Sequence, residues 1–174
     1  MLTRSTTTPL AESAEQAPPQ HPDLHRELRT TTPFSLARAP ASDAAHALAE
    51  RVAQDIQPLL GQRARAAQGG RAKGRERRLR ETGYILAGLF KEEISNQWYA
   101  VSESPATWFW KKARNLPVKH NAFWTKMNAM RSLGLVEYVS GKRFHVAWLI
   151  YDGHPACVRP SQTLRDLATQ LGCT

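Results

Sequence analysis

The chain has 174 residues, 41% of them apolar and 8% aromatic, which is enough for one domain with tails. Its formal net charge is +9, a balance that favours a polyanionic partner. Two cysteines are too few for a disulfide-stapled secreted scaffold, no run is long and apolar enough to cross a bilayer, and the N-terminus lacks the apolar core of a secretory signal.

Residues 1–41 read as a disordered tail. They carry Thr6-Thr7-Thr8-Pro9, Thr30-Thr31-Thr32-Pro33, Pro18-Pro19, Pro22 and Pro40 among few large apolar groups. Such a segment buries too little surface to offset its ordering entropy. Residues 42–60 form an accessory amphipathic helix. Ala45, Leu48, Ala49, Val52 and Ile56 share one stripe, Ser42 or Asp43 caps the start, and Pro58 ends it. Its apolar face docks on the domain, pairs with a second copy of the chain, or meets another protein.

Residues 61–75 are a flexible basic linker, punctuated by Gly61, Gly69, Gly70 and Gly74. From Arg63 to Arg80 there are eight cations against one acid, Glu76, or +7 of the total. The run lacks the interleaved apolar face of an interfacial helix, which argues against a membrane partner. It reads either as a solvated linker or as an arm tracking phosphates, with Arg71, Lys73 and Arg75 as candidate contacts.

A folded domain spans residues 76–152. Leu79, Ile85, Leu86, Leu89, Phe90 and Ile94 make the stripe of a first core helix, which Gly83 and Gly88 weaken by up to about 1 kcal/mol each. Trp98 to Val101 is short and β-prone. Ser104-Pro105 starts a second helix that runs to about Asn115 and carries Lys111, Lys112 and Arg114. Asn121 caps a third helix reaching Leu133, with Phe123, Met127 and Met130 facing the core and Gly134 as its left-handed stop. Leu135–Val139 and Phe144–Tyr151 are then two strands of a hairpin around Ser140-Gly141, with Lys142 and Arg143 at its tip. The aromatic cluster of Trp98, Tyr99, Trp108, Phe109, Trp110, Phe123 and Trp124 reads as core filling rather than a base-stacking platform. Residues 153–174 end in a short helix capped by Ser161 and stopped by Gly172.

This order, and above all FWTKMNAMRSLGLVEYVSGKRFHVAWLI, resembles the winged helix-turn-helix superfamily over about 75 residues. The resemblance implies an α+β fold with three helices and a β-hairpin wing. It implies a third helix in the major groove, with Thr125, Lys126, Asn128 and Arg131 facing the bases. Lys119, His120 and Asn121 would hold phosphate at the helix start, while Lys142 and Arg143 reach the backbone or minor groove. The second helix would lie across the backbone.

The spacing of His145, His154, Cys157 and Cys173 matches no zinc pattern, and His154 and Cys157 look like loop residues. No phosphate-cradling glycine loop, nucleophile elbow or paired-carboxylate signature is present, so neither a cofactor nor catalysis nor a small-molecule substrate is expected. The expected activity is binding of double-stranded DNA in a bacterial cytoplasm. The role is a plasmid or phage replication initiation or accessory factor, or a transcriptional regulator, with a homodimer through residues 42–57 or the C-terminal helix. The competing readings are an RNA-binding protein and a protein-interaction module such as a secreted bacterial effector.

Overall fold

The computed structural model describes residues 27–28, 31–36, 38–60, 72–90, 94, 96–102, 116–141 and 154–173. In chain order these form β1 (Thr32–Pro33), α1 (Asp43–Ile56) with a 3-10 turn at Gln57–Leu59, α2 (Ala72–Leu89), β2 (Tyr99–Val101), α3 (His120–Ser132), β3 (Val136–Val139), β4 (Ala156–Pro160) and α4 (Gln162–Gln170). The fold is α+β, with four helices and one mixed four-stranded sheet among the described residues.

The sheet order is β1-β2-β4-β3. β1 runs parallel to β2, while β4 is antiparallel to both β2 and β3. Alternation along the strands separates two faces. Tyr99, Val136, Tyr138 and Val158 join the core on the helical side, and Trp98, Val139 and Cys157 gather with Leu28 on the other.

The helices start and stop where local chemistry dictates. Ser42 Oγ accepts from Ala45 N at 3.2 Å, and Ser161 Oγ from Leu164 N at 3.3 Å, so each hydroxyl satisfies one orphan donor of a first turn. Gly134 (φ 68) ends α3 and Gly172 (φ 80) ends α4. At both, the glycine N–H and the next N–H fold back onto carbonyls of the last turn, Gly134 to Arg131 and Leu135 to Met130, Gly172 to Thr169 and Cys173 to Ala168. The expected stripe of α1 is present as Leu48, Ala49, Val52, Ala53 and Ile56, buried within the same chain against the core.

Four expectations need correction. The tail placed at 1–41 supplies β1 and the buried side chains Leu28, Phe34 and Leu36. Phe34 N donates to the Ala100 carbonyl at 2.8 Å, extending the β1–β2 pairing. Three large apolar groups suffice here because two glycines of α2 let the segment lie close. A Cβ on Gly83 would stand 2.7 Å from Pro40 Cγ, and one on Gly88 2.6 Å from Phe34 Cζ. Secondly, Lys73 and Arg75 belong to α2 rather than to a linker, since the helix begins at Ala72 and passes through Gly74.

Thirdly, Asn121 is not the cap of α3. That position is Lys119, with extended backbone (φ −75, ψ 152) and no side-chain capping bond. Fourthly, β3 pairs with β4 in the register Val136↔Pro160 to Val139↔Cys157. β4 falls in the segment expected to hold only a loop before the C-terminal helix. Cys157, read as a loop residue, sits in the central strand, covered on both faces. The return strand 144–151 expected after the hairpin turn lies outside the described residues, as do the second helix at 105–115 and residues 61–71.

Candidate nucleic-acid interface

α3 divides by side. Phe123, Met127, Ala129 and Met130 are buried, as the helical spacing required of the core positions. Opposite them, Asn121, Thr125, Asn128 and Ser132 recur at i, i+4, i+7 and i+11 and are all exposed. Two hydroxyls on this stripe bond back to the helix, Thr125 Oγ1 to the Asn121 carbonyl at 2.7 Å and Ser132 Oγ to the Asn128 carbonyl at 2.9 Å. Each hydroxyl donates its proton to the helix and keeps its oxygen as an acceptor, and both asparagines stand on the exposed side of a rigid element.

Arg131 flanks the stripe and is exposed, with its guanidinium carbon 5.0 Å from the centroid of the Tyr138 ring. Tyr138 stands edge-on to Trp124 at 5.8 Å, and Trp124 edge-on to Phe123 at 5.2 Å. A line of three aromatic rings thus runs from the core to the arginine. The Trp124 indole N–H donates to the Ser102 carbonyl at 3.3 Å, tying the line to the end of β2. A cation on an aromatic face keeps its charge and its fork of donors while losing rotamer freedom.

Lys126 does not belong to the outward face. It is 1% exposed, and its Nζ lies 2.6 Å from Oε2 of Glu81, which is itself buried on α2. The other carboxylate oxygen, Oε1, accepts from Arg77 Nε at 2.9 Å. Burial alone would raise the Glu81 pKa, but the hydrogen bonds from Lys126 and Arg77 and the charges of both outweigh it and hold the carboxyl below its ordinary value. A long aliphatic stem lets Lys126 occupy the flank of a core face while its ammonium meets a carboxylate, so its lysine identity masked its position.

The remaining candidates are scattered. Lys119 is exposed at the start of α3, and His120 is half-buried with Nδ1 3.1 Å from Asn121 Oδ1. Arg75 is exposed and paired to Glu50 of α1 at 2.8 Å, so part of its charge is already answered. Lys73 lies in the first turn of α2. Arg71, Lys111, Lys112, Arg114, Lys142 and Arg143 lie outside the described residues. A scan against protein-family models, a search of curated proteins and a search of solved structures each find no match.

Sequence reasoning passed over three groups. Tyr138 supports Arg131. Glu81 sits at the i and i+4 spacing with Ile85 on the apolar stripe of α2, and a lone acid there was the available signal for a buried partner. Arg77, Arg78 and Arg80, at the N-terminal half of α2, continue the basic run into ordered helix; Arg77 and Arg80 are exposed and Arg78 half-buried. On the far side of the sheet, Arg159 grips Glu137 with two donors at 2.6 and 2.8 Å and covers the Trp98 ring at 4.5 Å. That arginine is structural, joining neighbouring strands. Among the described residues, no three His, Cys, Asp or Glu side chains group as they would to hold a metal ion, and no helix is long and apolar enough to cross a membrane.

Proposed function

We propose that the chain binds double-stranded DNA, with α2, β2, α3 and the β3–β4 hairpin as a winged helix and the outward stripe of α3 as its reading surface. The observation that carries this reading is the polar stripe Asn121, Thr125 and Asn128. It lies opposite the buried face of α3 and is flanked by an arginine restrained on Tyr138. Amide and guanidinium groups are the side chains that match base edges in the major groove, asparagine to adenine and arginine to guanine.

The topology supports the same reading. Helix α2, short strand β2, helix α3 and strand β3 follow in the order that the sequence resemblance implies, while β4 lies beyond the residues that carry it. The short strand, β2, pairs with β4, which in turn pairs with β3, so one sheet joins the strand before α3 to the strand after it. Fold alone does not assign function, so the weight rests on the side chains. The charge of the chain supplies the sequence-independent share of affinity, and the arginines of α2 join the phosphate-tracking segment that precedes them. The biological role is that of a plasmid or phage replication factor or a transcriptional regulator acting in a bacterial cytoplasm. Thr125, Asn128 and Arg131 read bases; Lys119, His120, Arg78 and Arg80 hold phosphate.

The test is duplex binding across a salt series. Log affinity should fall linearly with log salt, with a slope of roughly −0.9 for each phosphate neutralised. Absent or salt-insensitive binding to every duplex would overturn the reading.

A further inference from the structure

We infer that Glu81 and Lys126 are positioning residues, a buried ionic link that fixes the rotation of α3 on α2 and so decides which side chains α3 presents. The inference rests on the DNA-binding reading for its consequence, though its geometry is independent of it.

On its outer flank α3 is held by the Trp124 indole N–H on the Ser102 carbonyl, but its apolar contacts toward α2 are less directional. Two of its large inward residues are methionines, Met127 and Met130, whose unbranched side chains adapt to many packings. A hydrophobic face of this kind tolerates small rotations about the helix axis. The Lys126–Glu81 contact does not. Its 2.6 Å separation joins residues 45 positions apart, from two different helices, and both side chains are withdrawn from water. A rotation of one residue, about 100°, would carry the ammonium out of the pocket and leave a buried carboxylate facing Arg77 alone.

Stability does not account for such a pair. Taking two charges out of water costs roughly what their attraction returns, and well-packed apolar substitutes often serve stability equally well or better. What an ion pair adds is a fixed partner and direction. Here that direction points Lys126 inward and, on the same rigid helix, Asn121, Thr125 and Asn128 outward. Arg77 shares the carboxylate from its exposed side and is half-exposed, so the network runs from the solvent face of α2 to the inner flank of α3.

Two variants of the full chain separate positioning from stability. Glu81→Leu/Lys126→Met fills the site with apolar groups, and Glu81→Met/Lys126→Leu is a second packing should the first not fold. Either double variant should match the wild type in thermal midpoint and in the salt slope of non-specific duplex binding. Its ratio of specific to non-specific affinity, measured on a selected duplex, should fall tenfold or more. Glu81→Gln keeps an acceptor oxygen for Lys126. It should lose stability yet keep a ratio within about threefold of wild type, measured well below its melting temperature. A purely structural role predicts the reverse, with the ratio following the stability.

Unchanged discrimination in a stable double variant would overturn the inference. If the wild-type chain discriminates no duplex, the DNA reading fails while the positioning claim is still decided. Residual dipolar couplings of the α3 amides should show the helix reoriented in the double variant and unmoved in Glu81→Gln. Identical orientation in all three proteins would sink it.

Discussion

Gly88 lies directly beneath Phe34: a Cβ on that glycine would meet the ring Cζ at 2.6 Å and the Ser35 carbonyl oxygen at 2.5 Å. Helix propensity alone would make Gly88→Ala stabilising by up to about 1 kcal/mol. The close approach reverses the sign, because a backbone oxygen cannot swing aside as a flexible side chain can. Gly88→Ala should lower the unfolding free energy by about 1–3 kcal/mol, the usual range for overpacking. Urea denaturation of the variant decides it; a variant at least as stable as wild type would show that the 34–40 segment does not bear on α2.

The same contact shows what could and could not be read from sequence. The two glycines of α2 were visible only as local weaknesses, since their use depends on Phe34 and Pro40, some fifty residues earlier. Local signals were legible where the partner is near: Ser42 and Ser161 as caps, Gly134 and Gly172 as stops, the stripe of α1 and the inward triple Phe123, Met127 and Met130. Non-local pairings were not. β4 carries Arg159 and ends in Pro160, so its five residues look less strand-like than 144–151, yet they form the strand that links β2 to β3. In the candidate site, Thr125, Asn128 and Arg131 were legible because a polar residue opposite a core stripe faces outward. Lys126 was misplaced because its burial depends on Glu81 of another helix.

Glu81 makes stability depend on acid in a defined window. Its carboxyl is held below the ordinary value of 4.5 in the folded chain, despite burial, by Lys126 and Arg77. A depressed folded value means that the contribution is fully present above 4.5 and is lost as pH falls through the lower folded value. Glu81→Gln should therefore be less stable than wild type at neutral pH, by on the order of 3 kcal/mol, because it leaves the buried Lys126 without a counter-charge. The gap should narrow below pH 4.5. Thermal midpoints of both proteins between pH 3 and 7 measure it, and a gap independent of pH would rule out Glu81 as the titrating group.

The two thiols should differ in reactivity. Burial pushes the Cys157 thiol above its ordinary 9.0, only partly opposed by a hydrogen bond involving Thr31 Oγ1, and the side chain is enclosed between Leu28 and Trp98. Cys173 is also raised by burial but stands half-buried at the end of α4. Thiolate is the reacting form, so both should react slowly at neutral pH. A maleimide should label Cys173 first, faster as pH passes 9.0, and Cys157 only at the rate of unfolding. Equal labelling of both in the folded chain would contradict a closed second face of the sheet.

Arg131 and Tyr138 give the sharpest test of the interface. The guanidinium rests 5.0 Å from the ring centroid, and the ring is braced by Trp124 and Phe123. If Arg131 reads a base, Arg131→Ala should cost about 1–3 kcal/mol in discrimination between a selected duplex and one altered at a single pair. Lys142→Ala should weaken every duplex alike and reduce the salt slope by about one contact. Tyr138→Leu leaves every charge in place and removes only the platform, so its non-specific affinity and salt slope should stay at wild-type values. Its discrimination should fall part of the way toward that of Arg131→Ala, because an unrestrained arginine has to order itself on binding. Competition titrations at one fixed salt concentration distinguish these outcomes. Full discrimination by Tyr138→Leu would show that the ring contributes nothing to recognition. Indistinguishable behaviour of Arg131→Ala and Lys142→Ala would instead mean that these two cations do not divide reading from anchoring.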